Sequence, residues 1–243
     1  MEIFYFLGGK EMKLKKETLR MLMTINLLVI AIVIDLVVSA IPGLNLSMPF
    51  GGKFFGLSMF PLVLIGLLFG IKYGLIAGLI YAIYNFGFDY LVYIDALRIT
   101  LESWTGESWN AMKIISLIML DYIIPFMAFG LSGLFHDGLK SKQKLIYATL
   151  FVSVIRLISS TLSGVILWSS SIEYASSLVE SGEGTPNIAT RLFAFVGESL
   201  WVYSLGYNLI YILTTTIVVL VIALLTHRRI QTIFEPITSQ SIQ

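Results

Sequence analysis

The sequence predicts an all-α integral membrane protein with six transmembrane helices and with both termini in the cytoplasm. Two observations set the class: 57% of the 243 residues are hydrophobic and only 13% are charged, and the mean hydropathy is +0.87. Such values are typical of chains that place most of their helices in lipid. A third observation, the distribution of Lys and Arg between the predicted loops, sets the orientation.

The composition also excludes several classes of function. The formal net charge is +1 and no basic patch is present, so we expect no nucleic-acid partner. The chain has no cysteine, which excludes disulfides, thiolate metal sites and a cysteine nucleophile. It also has no HExxH zinc motif, no phosphate-binding loop and no GxSxG nucleophile motif. We therefore predict no enzymatic activity, no cofactor and no metal site, and no means of powering transport by itself.

Six stretches are apolar enough to cross a bilayer, which takes about 20 residues. They cover residues 21–41, 56–70, 74–93, 113–134, 145–168 and 202–226. This predicts three parts: a cytoplasmic N-terminal segment (1–20), a six-helix membrane domain (21–226) and a cytoplasmic C-terminal tail (227–243). The outer connections at 42–55, 94–112 and 169–201 are long, and Trp104 and Trp109 in the second are predicted to anchor at the membrane interface.

The second and third spans lie in one continuous apolar run. As a single helix it would be about 57 Å long, far more than the hydrocarbon core. We place the break at residues 70–74, where two glycines flank the only cation of the run. Small residues also recur there at every fourth position, which predicts close packing between neighbouring helices. These residues are Gly66, Gly70, Gly74, Gly78 and Ala82.

The orientation follows from the loops. Eleven Lys and Arg residues lie before the first span, after the last span, or in the second and fourth connections, whereas the opposite side carries four. Since cytoplasmic loops carry the excess of positive charge, both termini are predicted to be cytoplasmic.

The fifth span carries a charge near its centre. Arg156, Ser160, Gly164 and Trp168 follow one another at four-residue steps, which places them on one stripe of a helix. An arginine at mid-bilayer costs about 2.5–3.5 kcal/mol on insertion scales, so it should face a bundle interior or a wet cavity. The stripe therefore predicts one wall of a ligand pocket that opens at the membrane surface.

Other spans also carry polar residues. Asp121 lies about two turns from the outer end of the fourth span, and Pro125 should kink that helix. Asp121 is predicted either to form a structural ion pair with Arg156 or to accept a hydrogen bond from an amine or ring N–H of a ligand, and the two roles can coexist. Tyr203 and Asn208, at the outer end of the last span, can flank one cavity or serve as interfacial residues.

Acidic residues in the first and third spans leave further alternatives. Asp35 shares a face with Ala31 and Ser39, and this face either borders the cavity or docks another membrane subunit. Asp89 and Tyr93 are close enough to the outer surface to line the pocket, and an interfacial role fits them equally well.

In their order and spacing, these motifs resemble the substrate-binding S components of energy-coupling factor (ECF) vitamin transporters, and most closely the thiamin-specific ones. The likeness covers about residues 20–226. Its motifs are Asp121-Tyr122-x-x-Pro125 in the fourth span, Gly164-x-x-x-Trp168 in the fifth and Tyr203-x-x-x-x-Asn208 in the sixth.

The resemblance implies a multi-pass protein of the cell membrane that captures thiamin from outside with high affinity. A coupling transmembrane subunit and two ATPase subunits would then drive import, and lipid would surround the protein. It also implies that Trp168 stacks on the aminopyrimidine, that Asp121 binds or balances the cationic ligand, that Gly164 leaves room for the ring, and that Tyr203 and Asn208 complete the polar contacts. The predicted substrate-binding residues are Tyr93, Asp121, Tyr122, Arg156, Ser160, Gly164, Trp168, Tyr203 and Asn208.

The sequence departs from the family pattern at three points. Asp121 stands where the thiamin group usually has Glu, and Ser160 where it has His. Ala31-x-x-x-Asp35 is a degenerate form of the Ala-x-x-x-Ala motif that docks the coupling subunit. Two alternatives therefore stay open. One is an S component for another ligand, such as riboflavin, a thiamin precursor or an anionic cofactor. The other is a membrane enzyme or a structural membrane protein.

Overall fold

The computed structural model describes residues 4–7, 10–13, 16–87, 94–135, 138–197 and 199–238. A short antiparallel hairpin pairs Phe4–Leu7 with Lys10–Lys13, and the rest of the regular structure is helical. The α-helices are α1 (Lys16–Ala40), α2 (Met59–Phe69), α3 (Ile71–Phe86), α4 (Ile94–Thr105), α5 (Ala111–Leu117), α6 (Ile124–Met127), α7 (Lys142–Leu167), α8 (Ser169–Glu180), α9 (Ile188–Val196) and α10 (Leu200–Thr238).

The fourth predicted span is a helix of mixed geometry. A π-helical segment (Ile118–Ile123) joins α5 to α6, and 3-10 turns (Ala128–Phe135) continue α6. We call the whole stretch Ala111–Phe135 the composite helix. A further 3-10 turn, Gly138–Lys140, precedes α7.

Four helical stretches among the described residues are long and apolar enough to cross a membrane. They are Glu17–Ala40, Ala111–Phe135, Lys142–Leu167 and Leu200–Phe234, whereas α2 and α3 are apolar but shorter. The predicted class, a helical membrane protein, is confirmed in this coarse form. The number of spans and the side on which the termini lie stay predictions.

Several boundaries differ from the predicted ones. The third helix begins at Ile71, directly after the turn at Gly70, so the break between the second and third spans takes a single residue with φ of 88°. The last helix continues from the predicted span through most of the predicted tail and ends at Thr238. The long outer connections are also partly helical, since they contain α4, α8 and α9. The polar side chain of Asn187 caps the start of α9 and so begins a helix inside the third of these connections.

Glycines bring three helices into backbone contact. A Cβ atom added at Gly74 would lie 2.7 Å from the Cα of Gly130, and one added at Gly78 would lie 2.6 Å from the carbonyl oxygen of Phe126. Gly130 and Gly133 approach the backbone of α3 more closely still. The predicted close packing along the four-residue repeat is therefore confirmed, and its partner is the composite helix. We call this contact the glycine seam, formed by Gly66, Gly74, Gly78, Gly130 and Gly133.

A second close contact joins α7 to α10. A Cβ at Gly164 would overlap the hydroxyl of Ser204, which donates a hydrogen bond to the carbonyl of Thr161 at 2.9 Å. Elsewhere along the same two helices, the hydroxyls of Ser153 and Thr216 lie 2.6 Å apart. Hydroxyl bonds of this kind hold helices together where lipid supplies no hydrophobic drive between them.

The glycine seam makes a stability prediction. Gly130→Ala should destabilise the protein by about 1–3 kcal/mol, because its methyl group would meet the backbone of Gly74 and Leu75, which cannot move aside without separating the helices. The measurement is the thermal unfolding midpoint in detergent. Gly43→Ala is the matched control, since an added Cβ there meets no atom within 4 Å. Equal midpoints for both variants would contradict the seam.

Candidate functional site

A cavity of about 270 Å³ lies within the bundle. Its walls come from α1, α3, the composite helix, α7 and α10, and a loop at residues 50–59 lies against it. Eight of the nine predicted site residues line it: Asp121, Tyr122, Arg156, Ser160, Gly164, Trp168, Tyr203 and Asn208. The ninth, Tyr93, lies outside the described residues, as does Asp89. The structure thus brings the described set together, and their contact with a ligand stays a prediction.

The carboxylate of Asp121 is held by the indole of Trp168. The Trp168 Nε1–H donates to Asp121 Oδ2 at 3.1 Å, from a position between α7 and α8. Asp121 lies in the π-helical segment, whose wide turn is a common feature of functional sites in helices. One acid and one aromatic face are therefore fixed relative to each other on the cavity wall.

The π-helical turn leaves one carbonyl in need of a donor. Ile124 N–H bonds to the carbonyl of Met119, five residues back, so the next bond in the series would join residue 125 to Leu120. Residue 125 is proline and has no N–H. Ser159 of α7 supplies the donor instead, because its hydroxyl bonds to the Leu120 carbonyl at 2.7 Å. This bond ties α7 to the turn that carries Asp121.

A second tryptophan packs against Trp168. Trp109 is 3% exposed, and its ring centroid lies 5.9 Å from that of Trp168. The predicted role of Trp109 as an interface anchor is therefore wrong, because its indole is packed inside the protein. The side chain of Trp104 is not among those described.

A carboxylate of α4 fixes the backbone of Trp109. The Trp109 N–H donates to Glu102 Oε1 at 2.9 Å, and Arg98 Nε donates to the same oxygen at 3.1 Å. The bond from Trp109, followed by that from Arg98, lowers the pKa of Glu102 below its ordinary value of 4.5. We call these two bonds the Glu102 clamp; it fixes Trp109, which packs against Trp168 on the cavity wall.

Asn208 is largely committed to the protein. Its amide nitrogen donates to the carbonyls of Ser160 at 3.1 Å and Ser204 at 2.8 Å, and its oxygen accepts from the hydroxyl of Tyr211 at 2.7 Å. An amide has two N–H donors, so only one acceptor position stays open. Asn208 therefore positions α7 and Tyr211, and has little capacity left for a ligand.

Tyr203 has a hydroxyl open to a ligand, whereas the space beside Gly164 is already filled by a side chain of α10. The Tyr203 hydroxyl is buried and has no hydrogen-bond partner among the described residues, so it is open to a ligand. Gly164, by contrast, was expected to leave room for a ring, but the hydroxyl of Ser204 occupies the space above it. The glycine serves helix packing first, because α10 could not approach a larger residue.

The loop at 50–59 belongs to the site although no sequence motif pointed to it. Phe50 N–H donates to the Tyr207 hydroxyl at 2.8 Å, which in turn donates to the Gly51 carbonyl at 3.2 Å. Gly52 lies against the ring of Tyr211 so closely that a Cβ would come within 2.6 Å of it. The pair Gly51-Gly52, both with positive φ, was the available signal for a sharp turn at this point.

Asp35 lies at the cavity and pairs with this loop. Lys53 Nζ lies 3.0 Å from Asp35 Oδ1 and 3.1 Å from the hydroxyl of Ser39. Of the two alternatives for Asp35, the structure agrees with the cavity-bordering one. The ion pair also connects α1 to the loop, so the two elements close the same side of the cavity.

Arg156 is not paired with Asp121. No ion pair joins the two among the described residues, so that alternative is wrong. The guanidinium lies 4.9 Å from the ring centroid of Phe129, and its Nη1 lies 3.6 Å from the sulfur of Met59. The reason is the bond from Trp168, which holds the Asp121 carboxylate at another part of the cavity wall.

Two matches to known proteins were found, one to a family model and one to a single protein. The family model described as "Thiamine transporter protein (Thia_YuaJ)" matches residues 100–177. The chain is also 26% identical over 207 residues to "Thiamine transporter ThiT" from Bacillus subtilis (strain 168), an alignment that covers 85% of this chain and 89% of that protein. No solved structure matches the chain. The predicted resemblance to thiamin-specific transport proteins is thereby confirmed.

The Glu102 clamp predicts a pH dependence of stability. Because the pKa of Glu102 is depressed in the folded state, its contribution is present above the ordinary value of 4.5 and is lost as the pH falls through the folded-state pKa. Wild type should therefore unfold at a higher temperature than Glu102→Gln near neutral pH, and the difference should shrink as the pH is lowered further below 4.5. Glu173→Gln, which changes an exposed carboxylate on α8, is the control. A difference that stays constant with pH would show that the charge of Glu102 does not hold the loop.

Proposed function

We propose that the chain is a thiamin-specific S component, which binds thiamin from outside the cell with high affinity. The family match and the similarity to a thiamine transporter support this class. The observation that carries the choice of ligand is the Asp121–Trp168 pair, which offers an acid and an aromatic face on one cavity wall.

The chemistry of thiamin suits this wall. Thiamin is a flat cation with a hydrogen-bonding aminopyrimidine, and an indole face attracts a cation by about 0.5–2 kcal/mol. The carboxylate of Asp121 balances the positive charge and offers its second oxygen to a ring amine, because Trp168 binds Oδ2. The open hydroxyl of Tyr203 adds a further contact. A cavity of about 270 Å³ is close to the lower end of the usual range for small-molecule sites, about 300 Å³.

The proposed mechanism is binding and release without chemistry. The protein crosses the cell membrane six times with both termini in the cytoplasm, and the loop at 50–59 covers the bound vitamin. A coupling transmembrane subunit and two ATPase subunits supply the energy for import. The absence of a phosphate-binding loop from the sequence supports this division of labour.

The direct test is a titration of the purified protein in detergent, followed by tryptophan fluorescence. Thiamin should quench the fluorescence saturably, because Trp168 lies on the cavity wall and Trp109 packs against it. Riboflavin, followed by equilibrium dialysis to avoid its own absorbance, is the comparison ligand. A saturable response to riboflavin with none to thiamin would replace the vitamin but keep the class. No binding of any vitamin and no ATPase partners in a pull-down would favour the enzyme or structural alternative.

Trp168→Ala should weaken thiamin binding by about tenfold or more, because the ring loses a desolvated aromatic anchor and Asp121 loses its donor. Isothermal titration calorimetry measures the affinity. Trp201→Ala provides the matched control, since this tryptophan is 57% exposed and does not line the cavity. An unchanged affinity in Trp168→Ala would remove this residue from the site.

Asp121→Asn should weaken binding of thiamin by about tenfold or more, because the desolvated carboxylate no longer balances the cation. The neutral fragment 4-amino-5-hydroxymethyl-2-methylpyrimidine, measured by competition, should lose much less affinity. The two ligands share the pyrimidine, and only thiamin carries the thiazolium cation, so the ratio of their losses reports how much of the effect of Asp121 depends on that cationic ring. Equal losses would indicate that Asp121 is structural.

A further inference from the structure

Arg156 is a cation on the cavity wall without an anionic partner among the described residues. Its Nε is buried and has no hydrogen-bond partner in that part of the chain. The guanidinium instead contacts the face of Phe129 and the sulfur of Met59. Tyr81 and Tyr211 lie within electrostatic range of it, and both are neutral hydroxyl groups at ordinary pH.

The acids that line the cavity are already engaged elsewhere. Asp121 accepts its bond from Trp168, and Asp35 forms an ion pair with Lys53 at 3.0 Å. A buried charge is costly unless it is paired, and in a membrane-embedded site an unpaired arginine marks the path or seat of a ligand. The contact with Phe129 compensates only part of this cost.

We propose that Arg156 receives a phosphate group carried by the ligand, so that the preferred ligand is a phosphate monoester of thiamin rather than thiamin itself. This rests on the proposed function. The guanidinium presents a planar fork of N–H donors that matches the oxygens of a phosphate, and lysine or a neutral residue cannot reproduce that geometry.

The position of Arg156 along α7 fits an elongated ligand. Arg156 lies twelve positions before Trp168, the residue directly after α7, so their Cα atoms lie about 18 Å apart along the helix axis. Tyr211, Arg156 and Asp121 all line the same cavity. A ring held at Asp121 and Trp168 therefore needs a charged extension in order to use Arg156, and the phosphate ester provides one.

The test compares two ligands on three proteins by isothermal titration calorimetry in phosphate-free buffer. The ligands are thiamin and thiamin monophosphate, and the proteins are wild type, Arg156→Gln and Arg156→Lys. Wild type should bind the monophosphate more tightly than thiamin. Arg156→Gln should weaken the monophosphate at least about tenfold more than it weakens thiamin, and the effect of Arg156→Lys should fall between wild type and Arg156→Gln. Arg191→Gln, on α9 and away from the cavity, should change neither affinity.

The results that would contradict the proposal differ in what they leave standing. Wild type that binds thiamin as tightly as the monophosphate, or more tightly, overturns the preference for the ester and keeps the proposed function. The proposed contact between Arg156 and the phosphate ester is also overturned if Arg156→Gln weakens the binding of both ligands equally. Thiamin binding that tightens on addition of inorganic phosphate replaces the ester with a separate anion at Arg156. Wild type that binds neither compound overturns the proposed function together with the ester. If Arg156→Gln does not fold, the wild-type comparison and Arg156→Lys still decide.

Discussion

Backbone contact along the glycine seam is the constraint on which the rest of the structure depends. Gly74 and Gly130 bring α3 and the composite helix together with no side chain between them. In lipid, such contact is a principal source of helix association, because the solvent offers no hydrophobic gain. The part of the composite helix that contains Asp121 lies outside the glycine seam and lines the cavity.

The site itself is formed where helices are interrupted. Asp121 lies in a π-helical turn, and Trp168 lies between α7 and α8. The loop at 50–59 is not helical except for its last residue, Met59, where α2 begins. Irregular backbone at membrane depth is tolerated where it lines a cavity and its polar groups find partners. Here the partners are side chains: Ser159 for the Leu120 carbonyl, and Tyr207 for Phe50 and Gly51.

The charges of the cavity are kept apart rather than neutralised as one cluster. Asp121 is bound by an indole, Asp35 by Lys53, and Arg156 by an aromatic face. In such a site, a ligand binds well only if its own charges lie opposite the acid and the cation. A ligand charge at any other position would be desolvated without a partner, so ligands with a different arrangement of charges are rejected. Charge separation thus serves specificity in a cavity whose volume alone would admit many small molecules.

The sequence by itself determined the features that depend on local periodicity and on the cost of polar groups in lipid. From these came the helical membrane class, the break within residues 70–74, the close-packed repeat of small residues, and the stripe from Arg156 to Trp168. A period near four residues and the cost of a charge at mid-bilayer act on each helix separately, so neither needs a tertiary contact to be recognised.

Only the tertiary structure decided which polar groups meet. Asp121 and Trp168 are 47 residues apart in the chain, and Phe50 and Tyr207 are 157 apart. The expected pairing of Asp121 with Arg156 gave way to the bond from Trp168, and Trp109 turned inward instead of to the interface. Such choices depend on how helices rotate and how loops fold back over them, which the spacing of residues along one helix does not specify.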